Sequence, residues 1–224
     1  VVTVADDIAS AQWAVEAATW DDRVFAAVAL HPTRTKDFTD DDRRVLEELV
    51  QHPRVVAVGE TGLDYYWDFS PPEPQQEAFR WHIDLAKRSG KPLMIHDRDA
   101  HQDVLRILAE EGAPEKVVLH CFSGDAEFAR ACVDAGYVCS FAGTATFRNA
   151  GPLREAAQLV PLEQMVVETD APFLTPHPFR GRPNEPYCVN YTLRDLAELR
   201  GVTLEELVVA TTATAERLFG LDQV

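Results

Sequence analysis

Short apolar runs alternate along the chain with longer segments in which apolar residues recur every three or four positions. Runs rich in Val, Ile and Leu are typical of strands buried on both faces, and the longer spacing predicts amphipathic helices. The predicted strands are residues 1–4, 24–30, 55–59, 92–95, 116–119, 137–141 and 165–167. The predicted helices are residues 8–19, 40–52, 75–89, 100–111, 126–135 and 153–160, followed by two closing helices within residues 192–219.

Residues with strong positional preferences support several of these boundaries. Thr39 precedes three aspartates, which predicts a helix start, and Gly90 stands where the following helix is expected to end. Gly201 separates the two closing helices, and Thr203 is placed to cap the second. Residues 171–186 are rich in Pro, Gly and Arg, so we expect a long irregular loop after the last strand.

The order of the predicted elements limits the fold to a parallel sheet. The predicted strands end roughly every 20 to 40 residues, close to the ~30 residues of a βα unit. Such a sheet either stays open or closes into an eight-stranded barrel of ~250 residues. Seven strands are predicted, and no linker divides the chain. The sequence therefore predicts a single α/β domain over residues 1–224, a (β/α)8 TIM-type barrel whose first βα unit is missing from the chain.

Composition and charge narrow the possible functions. With 46% hydrophobic and 26% charged residues, the chain has the composition of a globular protein. Its formal net charge of −16 argues against a wide basic surface for nucleic acid, but allows a small phosphate site completed by cations. Its four cysteines form no CxxC pair, which excludes a zinc ribbon and suits free thiols in the cytoplasm. The longest apolar run, residues 24–30, is too short for a membrane span, so no membrane partner is expected.

Residues of metal-binding types follow four of the predicted strands. Glu60 follows the third strand, His96 the fourth and His120 the fifth, and Asp170 comes soon after the last. A lone residue of this kind is usually structural, but active sites of parallel barrels lie where the strands end, so these four are expected to converge. Mixed nitrogen and oxygen donors suit Zn²⁺ or Mn²⁺ better than Mg²⁺. We interpret Glu60 as a ligand that bridges two ions, and Asp170 as a ligand that also accepts a proton from water.

Two other residues at the same edge are candidate substrate contacts. Arg98 can fork onto a phosphate or carboxylate oxygen, although a local ion pair with Asp97 or Asp99 is the alternative. His31 can hydrogen-bond the substrate, although it precedes a proline and can equally shape a turn. The four cysteines are interpreted as packing residues. The remaining histidines are interpreted as solvated, and they are His52, His82, His101 and His177.

Six sequence blocks stand in order along the chain. They are LHP at 30–32, GETGLDYY at 59–66, IHDRDA at 95–100, LHCFSG at 119–124, ETDAPFL at 168–174 and RGRPNEP at 180–186. Together they resemble the TatD-type metal-dependent deoxyribonucleases, a branch of the amidohydrolase-like barrels, over essentially the whole chain. The resemblance implies two divalent metal ions (Mg, Mn or Zn) in a (β/α)8 barrel. It implies that Glu60 bridges the ions, that His96 and His120 hold one of them, and that Asp170 holds the other.

The same resemblance implies a function and a substrate. The implied activity is hydrolysis of phosphodiester bonds at DNA 3′ ends by a two-metal-activated water, with substrate contacts from His31 and Arg98. The expected partner is a DNA 3′ end or another phosphodiester, with no obligate protein partner. The family pattern also begins with a His-x-His pair at the end of the first strand, which this sequence does not contain.

Two other functions stay open at this point. A metal-activated water held by the same ligands can instead hydrolyse an ester or amide, as in the wider amidohydrolase superfamily. Aminoacyl-tRNA deacylation is one example. A chain that truly lacks the His-x-His segment would instead be a catalytically inactive binding or scaffold barrel.

Overall fold

Parallel strands alternate with helices throughout the part of the chain that the computed structural model describes, residues 1–221. The chain divides into two units, Val1–Val118 (unit 1) and a second that begins at Leu119 (unit 2). Residues 222–224 of the predicted domain lie outside the described residues, and the single domain stays a prediction. No helix within residues 1–221 is both long and apolar enough to span a bilayer.

Unit 1 contains four strands in the order β1-β2-β3-β4, each parallel to its neighbour. The strands are β1 (Val2–Val4), β2 (Phe25–Val28), β3 (Val55–Asp64) and β4 (Leu93–Arg98). The helices are α1 (Ile8–Ala17), α2 (Asp40–Leu49), α3 (Pro72–Ser89) and α4 (His101–Glu111). A 3-10 helix, Pro32–Asp37, follows β2.

Unit 2 continues the alternation of strands and helices. Strand β5 (Val117–Leu119) runs across the boundary between the units, and β6 (Val138–Phe141) pairs in parallel with β7 (Met165–Val167). The helices are α5 (Ala126–Asp134), α6 (Gly151–Leu159), α7 (Val189–Arg200) and α8 (Leu204–Phe219). Short 3-10 helices lie at Gly143–Thr146, Leu162–Gln164 and Pro186–Cys188.

Several helix ends carry the capping residues that the sequence predicts. The Thr39 hydroxyl accepts a hydrogen bond from the Asp42 N–H (3.2 Å), and the Asp42 carboxylate accepts one from the Thr39 N–H (2.9 Å). This reciprocal arrangement satisfies backbone donors that have no partner inside the helix. Gly90 and Gly201 end α3 and α7 in the left-handed conformation, and Thr203 caps α8.

Strands β3 and β4 extend further than the apolar runs predict, to Asp64 and Arg98. The extra pairing depends on Gly62, because a Cβ at this position would lie 2.0 Å from the carbonyl oxygen of His96. The close approach continues the parallel register to the pair of Asp64 with Arg98. Glu60 and His96 therefore lie within paired strands instead of on loops, which restricts their positions.

His82 lies in the core, which contradicts its interpretation as a solvated residue. Its side chain is fully buried in α3, where Nδ1 lies 2.7 Å from the Ala78 carbonyl and Nε2 accepts a hydrogen bond from the Leu30 N–H (3.2 Å). The Phe38 ring stacks on the imidazole at 5.5 Å. The burial is possible because backbone groups satisfy both ring nitrogens of a neutral imidazole.

Acid is expected to destabilise the protein through His82. Burial lowers the pKa of His82 to about 3, whereas the unfolded imidazole takes up a proton near its ordinary pKa of ~6.5. The contribution of neutral His82 to the free energy of unfolding is therefore complete above pH ~6.5. It is lost as the pH falls towards 3, by up to ~1.4 kcal/mol per pH unit. Urea unfolding at pH 7 and pH 4.5 should give a free energy that falls by about 2–3 kcal/mol more in the wild type than in His82→Gln. His177→Gln, which changes an exposed imidazole, is the matched control, and equal slopes for the wild type and His82→Gln would refute the assignment.

Candidate metal centre

Three side chains of unit 1 come together near the carboxyl ends of neighbouring strands. Glu60 lies in β3, His96 lies in β4, and His31 lies shortly after β2. Oε1 of Glu60 is 2.7 Å from Nδ1 of His96 and 3.7 Å from Nε2 of His31. One ligand atom from each residue lies within 4.8 Å of the other two, which is close enough for all three to hold one metal ion. All three side chains are half-buried.

Asp64 supports this group, although sequence reasoning did not select it. Its Oδ2 lies 2.8 Å from Nε2 of His96, and the carboxyl side chain is only 2% exposed. The signal was the spacing of four residues from Glu60, because alternate residues of a strand share a face. It was missed because the third strand was predicted to end before Glu60.

The charges of the unit 1 group are strongly coupled. Burial alone would lower the pKa of His96, but hydrogen bonds to Asp64 and Glu60 and their negative charges raise it to about 9. Burial lowers the pKa of His31 to about 4, so this second imidazole is neutral at pH 7. Burial raises the pKa of Asp64, but its hydrogen bonds with His96 and with the Trp67 and Tyr66 N–H groups, together with the His96 charge, hold it below its usual range. The two carboxylates thus favour a positive charge between them, which protonation of His96 supplies at neutral pH.

A second group forms in unit 2 where β5 and β7 end. His120 follows β5, and Glu168 and Asp170 follow β7. Nδ1 of His120 lies 3.0 Å from Oε2 of Glu168, and Nε2 lies 3.6 Å from Oδ1 of Asp170. One ligand atom from each residue again lies within 4.8 Å of the others. This arrangement is a second set of nitrogen and oxygen donors suited to a divalent cation.

The two carboxylate oxygens of Glu168 differ in their partners. Oε2 accepts hydrogen bonds from the Cys121 N–H (3.2 Å) and from the Ser140 hydroxyl. Oε1 is buried, and although it lies 3.0 Å from Nδ1 of His120, it accepts no hydrogen bond of ordinary geometry within residues 1–221. Burial raises the pKa of Glu168, but the His120 charge and these hydrogen bonds hold it below its usual range. A buried anionic oxygen without a donor is satisfied by a cation, so the residues fit a bound metal.

The backbone at the unit 2 group is held in an uncommon conformation. Cys121 and Asp170 both have positive φ angles, 43° and 57°. Non-glycine residues adopt this region rarely, and the conformation is found often at functional sites. The left-handed conformation costs less at Asp170 than at Cys121, since aspartate tolerates this region better than most side chains.

The structure divides the predicted site residues between the two groups. The four predicted ligands separate into Glu60 with His96 in unit 1, and His120 with Asp170 in unit 2. His31 fits both of its interpretations, because Nδ1 accepts a hydrogen bond from a backbone N–H in the turn (3.2 Å) while Nε2 lies 3.3 Å from His96. The convergence of all four ligands, and the bridging role of Glu60, stay predictions.

Arg98 lies outside both groups of candidate ligands. Its guanidinium sits over the Tyr66 ring, 3.9 Å from the centroid, and its side chain is exposed. Within residues 1–221 Arg98 forms no ion pair with Asp97 or Asp99. The structure therefore does not support the alternative interpretation of Arg98 as a local ion-pair partner. Asp97 instead pairs with His101 (2.8 Å).

Sequence reasoning also passed over Glu168. The ETD segment at 168–170 places two carboxylates two residues apart, and only Asp170 was selected as a ligand. Nothing local distinguishes the two, because the contacts of Glu168 come from residues 28 and 47 positions away.

Comparison with known proteins identifies the family. The sequence matches the family described as "TatD related DNase" over residues 1–220. The chain belongs to this family. It is 61% identical over 226 residues to the "Uncharacterized metal-dependent hydrolase TatD" of Mycobacterium tuberculosis, an alignment that covers 99% of this chain and 86% of that protein.

Two other comparisons agree with the assignment of this chain to the TatD family. It is 34% identical over 204 residues to the protein named "3'-5' ssDNA/RNA exonuclease TatD" from Citrobacter rodentium, covering 88% of this chain and 77% of that protein. The crystal structure of YJJV, a TatD homologue from Escherichia coli K12, superposes with a TM-score of 0.93 at 30% identity, covering 98% of this chain and 85% of that one. The predicted fold class, an α/β protein of the TIM-barrel type, and the resemblance to the TatD family are confirmed. The chain is a TatD-family metal-dependent hydrolase.

Proposed function

We propose that this hydrolase cleaves phosphodiester bonds at the 3′ ends of DNA strands, using divalent metal ions held by the two ligand groups. The observation that carries the proposal is the set of half-buried imidazoles and carboxylates in each group, above all the buried Glu168 Oε1 that accepts no hydrogen bond within residues 1–221. The Citrobacter rodentium relative, whose name is that of a 3′-5′ exonuclease for single-stranded DNA and RNA, supports the choice of substrate.

The proposed metal ligands are the four residues predicted from the sequence and Glu168. They are assigned to ions by the two ligand groups, instead of by the pairing of His96 with His120 that the resemblance implies. Glu60 and His96 would hold a cation in unit 1, and His120 and Asp170 would hold one in unit 2, where Glu168 joins them. Mixed imidazole and carboxylate donors favour Mn²⁺ or Zn²⁺, with Mg²⁺ as a weaker fit. When bound, such ions lower the pKa of water and stabilise the negative charge that develops at phosphorus.

The surrounding side chains have separate proposed roles. Asp170, the most exposed carboxylate of its group, is placed to accept a proton from the attacking water, since its side chain is 29% exposed. His31 is neutral at pH 7, because burial lowers its pKa to about 4, and can hydrogen-bond a substrate oxygen without adding charge. Arg98 is available to a phosphate, because it has no acidic partner within residues 1–221. The proposed catalytic carboxylates are Glu60, as a metal ligand, and Asp170, as a metal ligand and proton acceptor.

The overall charge favours the end of a strand over a long nucleic-acid track. With 37 acidic and 21 basic side chains, the protein repels an extended phosphate backbone at most points of its surface. Bound cations and an arginine with no acidic partner can still bind the few phosphates of a terminus.

End-labelled DNA distinguishes this proposal from its alternatives. Single-stranded DNA labelled at either its 3′ or its 5′ end is incubated with the purified protein and Mn²⁺, and the products are separated by length. We expect mononucleotides from the 3′ label at once and a ladder that shortens gradually from the 5′ label, both abolished by EDTA and restored by excess Mn²⁺. Internal cuts, or hydrolysis of aminoacyl-tRNA or simple esters without release of nucleotides, would contradict the proposal.

A further inference from the structure

Three neighbouring aromatic side chains are exposed directly after β3. Tyr66, Trp67 and Phe69 are 55%, 45% and 62% exposed, although large aromatic side chains are usually well buried. The rings of Trp67 and Phe69 stack at 5.5 Å with 16° between their planes, and Tyr66 meets Trp67 edge to face at 4.9 Å. We call these three residues the aromatic patch. A contiguous exposed patch of this kind marks a surface that binds something.

The aromatic patch is tied to the unit 1 ligand group through one carboxylate. Oδ1 of Asp64 accepts hydrogen bonds from the N–H groups of Tyr66 and Trp67, both at 3.0 Å, while Oδ2 contacts His96 at 2.8 Å. Asp64 is nearly fully buried, so this link is shielded from water. The patch is therefore fixed beside the ligand group rather than carried on a free loop.

Arg98 adds a positive charge to the aromatic patch. Its guanidinium lies 3.9 Å from the Tyr66 ring centroid and 6.0 Å from that of Trp67, both within cation–π range. Strand pairing holds the Arg98 backbone opposite Asp64. Because the guanidinium has no acidic partner within residues 1–221, its N–H groups are available to an anion.

Flat apolar faces beside one guanidinium match the chemistry of a nucleotide. Every nucleobase has a π-face that stacks on aromatic rings, and the adjoining phosphate accepts hydrogen bonds from arginine. Bases in a duplex are already stacked on one another, so the faces are accessible only in an unpaired strand. The nearby carboxylates of Asp68 and Asp99 are exposed and disfavour additional phosphates, which restricts binding to a short segment.

We infer that the aromatic patch and Arg98 bind unpaired bases of a nucleic-acid strand by stacking, beside the unit 1 ligand group. This inference rests on the proposed function and assigns the residues that contact the unpaired bases of the strand end. Trp67 is the central residue, because it contacts both of the other rings of the patch and lies within range of Arg98.

A binding measurement with paired substrates tests the inference. The Mn²⁺-loaded protein is titrated with a fluorescent single-stranded hexanucleotide whose 3′ linkages are phosphorothioates that slow hydrolysis, and with the same strand carrying abasic sites at its last three positions. In the wild type the strand with bases should bind about tenfold more tightly, the effect expected from stacking one base. Trp67→Ala should reduce this ratio to about twofold or less, and Trp67→Phe should restore most of it.

Trp20→Ala is the matched control for the loss of an exposed indole. Trp20 is 64% exposed and follows α1, on the side of the sheet where strands begin, whereas the aromatic patch follows the end of β3. The control should keep the wild-type ratio. An unchanged ratio in Trp67→Ala, or equal binding of the two strands by the wild type, would overturn the inference.

The design separates this inference from the proposed function. If the wild type releases nucleotides from 3′-labelled DNA but Trp67→Ala keeps the full ratio, the function stands and the stacking surface is refuted. If the ratio collapses as expected but no DNA is hydrolysed, the surface stands and the proposed reaction fails. Sedimentation of the wild type and Trp67→Ala tests whether a second copy of the chain binds the aromatic patch instead. A wild-type dimer that becomes monomeric in Trp67→Ala would assign the patch to contact between copies and overturn the inference.

Discussion

Replacing Glu60 by Gln is expected to reduce Mn²⁺-dependent hydrolysis by about 10³-fold, equivalent to about 4 kcal/mol of transition-state stabilisation. Gln keeps the size of the side chain but removes the negative charge that faces His96 at 2.7 Å and His31 at 3.7 Å. The expected loss lies in kcat, because a weakened ligand set binds its cation poorly and stabilises less charge at phosphorus. Initial rates on 3′-labelled DNA over a range of Mn²⁺ concentrations measure it.

The control for Glu60→Gln is Glu48→Gln, which makes the same chemical change at an exposed position of α2. It should keep wild-type rates. Circular dichroism and thermal unfolding should show that Glu60→Gln remains folded, because Glu60 is only half-buried and lies at the edge of the core. Wild-type turnover by Glu60→Gln in saturating Mn²⁺ would eliminate Glu60 as a metal ligand.

The second large effect is expected from Glu168→Gln, with a loss of about 10²-fold in kcat and weaker metal binding. The amide oxygen of Gln can still accept the hydrogen bonds from Cys121 and Ser140, so the fold should tolerate the change. The amide –NH2 group would replace the carboxylate oxygen that lacks a hydrogen bond, and an amide nitrogen has no available lone pair with which to ligate a cation. Rates and Mn²⁺ affinity are compared with those of the wild type.

Glu163→Gln is the matched control for Glu168, since Glu163 is an exposed carboxylate of the same unit. If Glu168 served only to position His120, the amide would preserve most of that hydrogen bonding. Activity and Mn²⁺ affinity within twofold of Glu163→Gln would then show that Glu168 is structural.

Much of the fold follows from local sequence signals. Strand β7 occupies the predicted residues 165–167, and α2 begins at Asp40, where Thr39 predicts its start. These elements are recoverable because burial periodicity and capping depend on residues within a few positions of one another. Helix α3 begins three residues earlier than predicted, at Pro72, since proline suits the first turn of a helix.

The features that sequence reasoning missed depend on distant contacts. The extension of β3 requires the close approach of Gly62 to β4, which an apolar pattern does not reveal. His82 is buried because the Leu30 N–H, 52 residues away, satisfies one of its nitrogens. Asp64 and Glu168 gain their importance in the same way, through His96 and His120 brought near by the fold.

The residue types of the candidate site were predictable, whereas their grouping was not. Glu60, His96, His120 and Asp170 stand out because residues of metal-binding types follow four of the predicted strands. The structure places His31 with Glu60 and His96 among atoms that can share one cation, and its role as a substrate contact stays a prediction. Which side chains share an ion depends on distances of a few ångströms, and these are set by strand register.

Metal stoichiometry tests directly whether the two ligand groups hold divalent cations. The protein is freed of metal with a chelator, equilibrated with Mn²⁺, separated from unbound ions and analysed for metal and protein content. We expect about two ions per chain for the wild type and about one for each of Glu60→Gln and Glu168→Gln. A wild type that retains no Mn²⁺, or variants that both retain the full wild-type amount, would contradict this expectation.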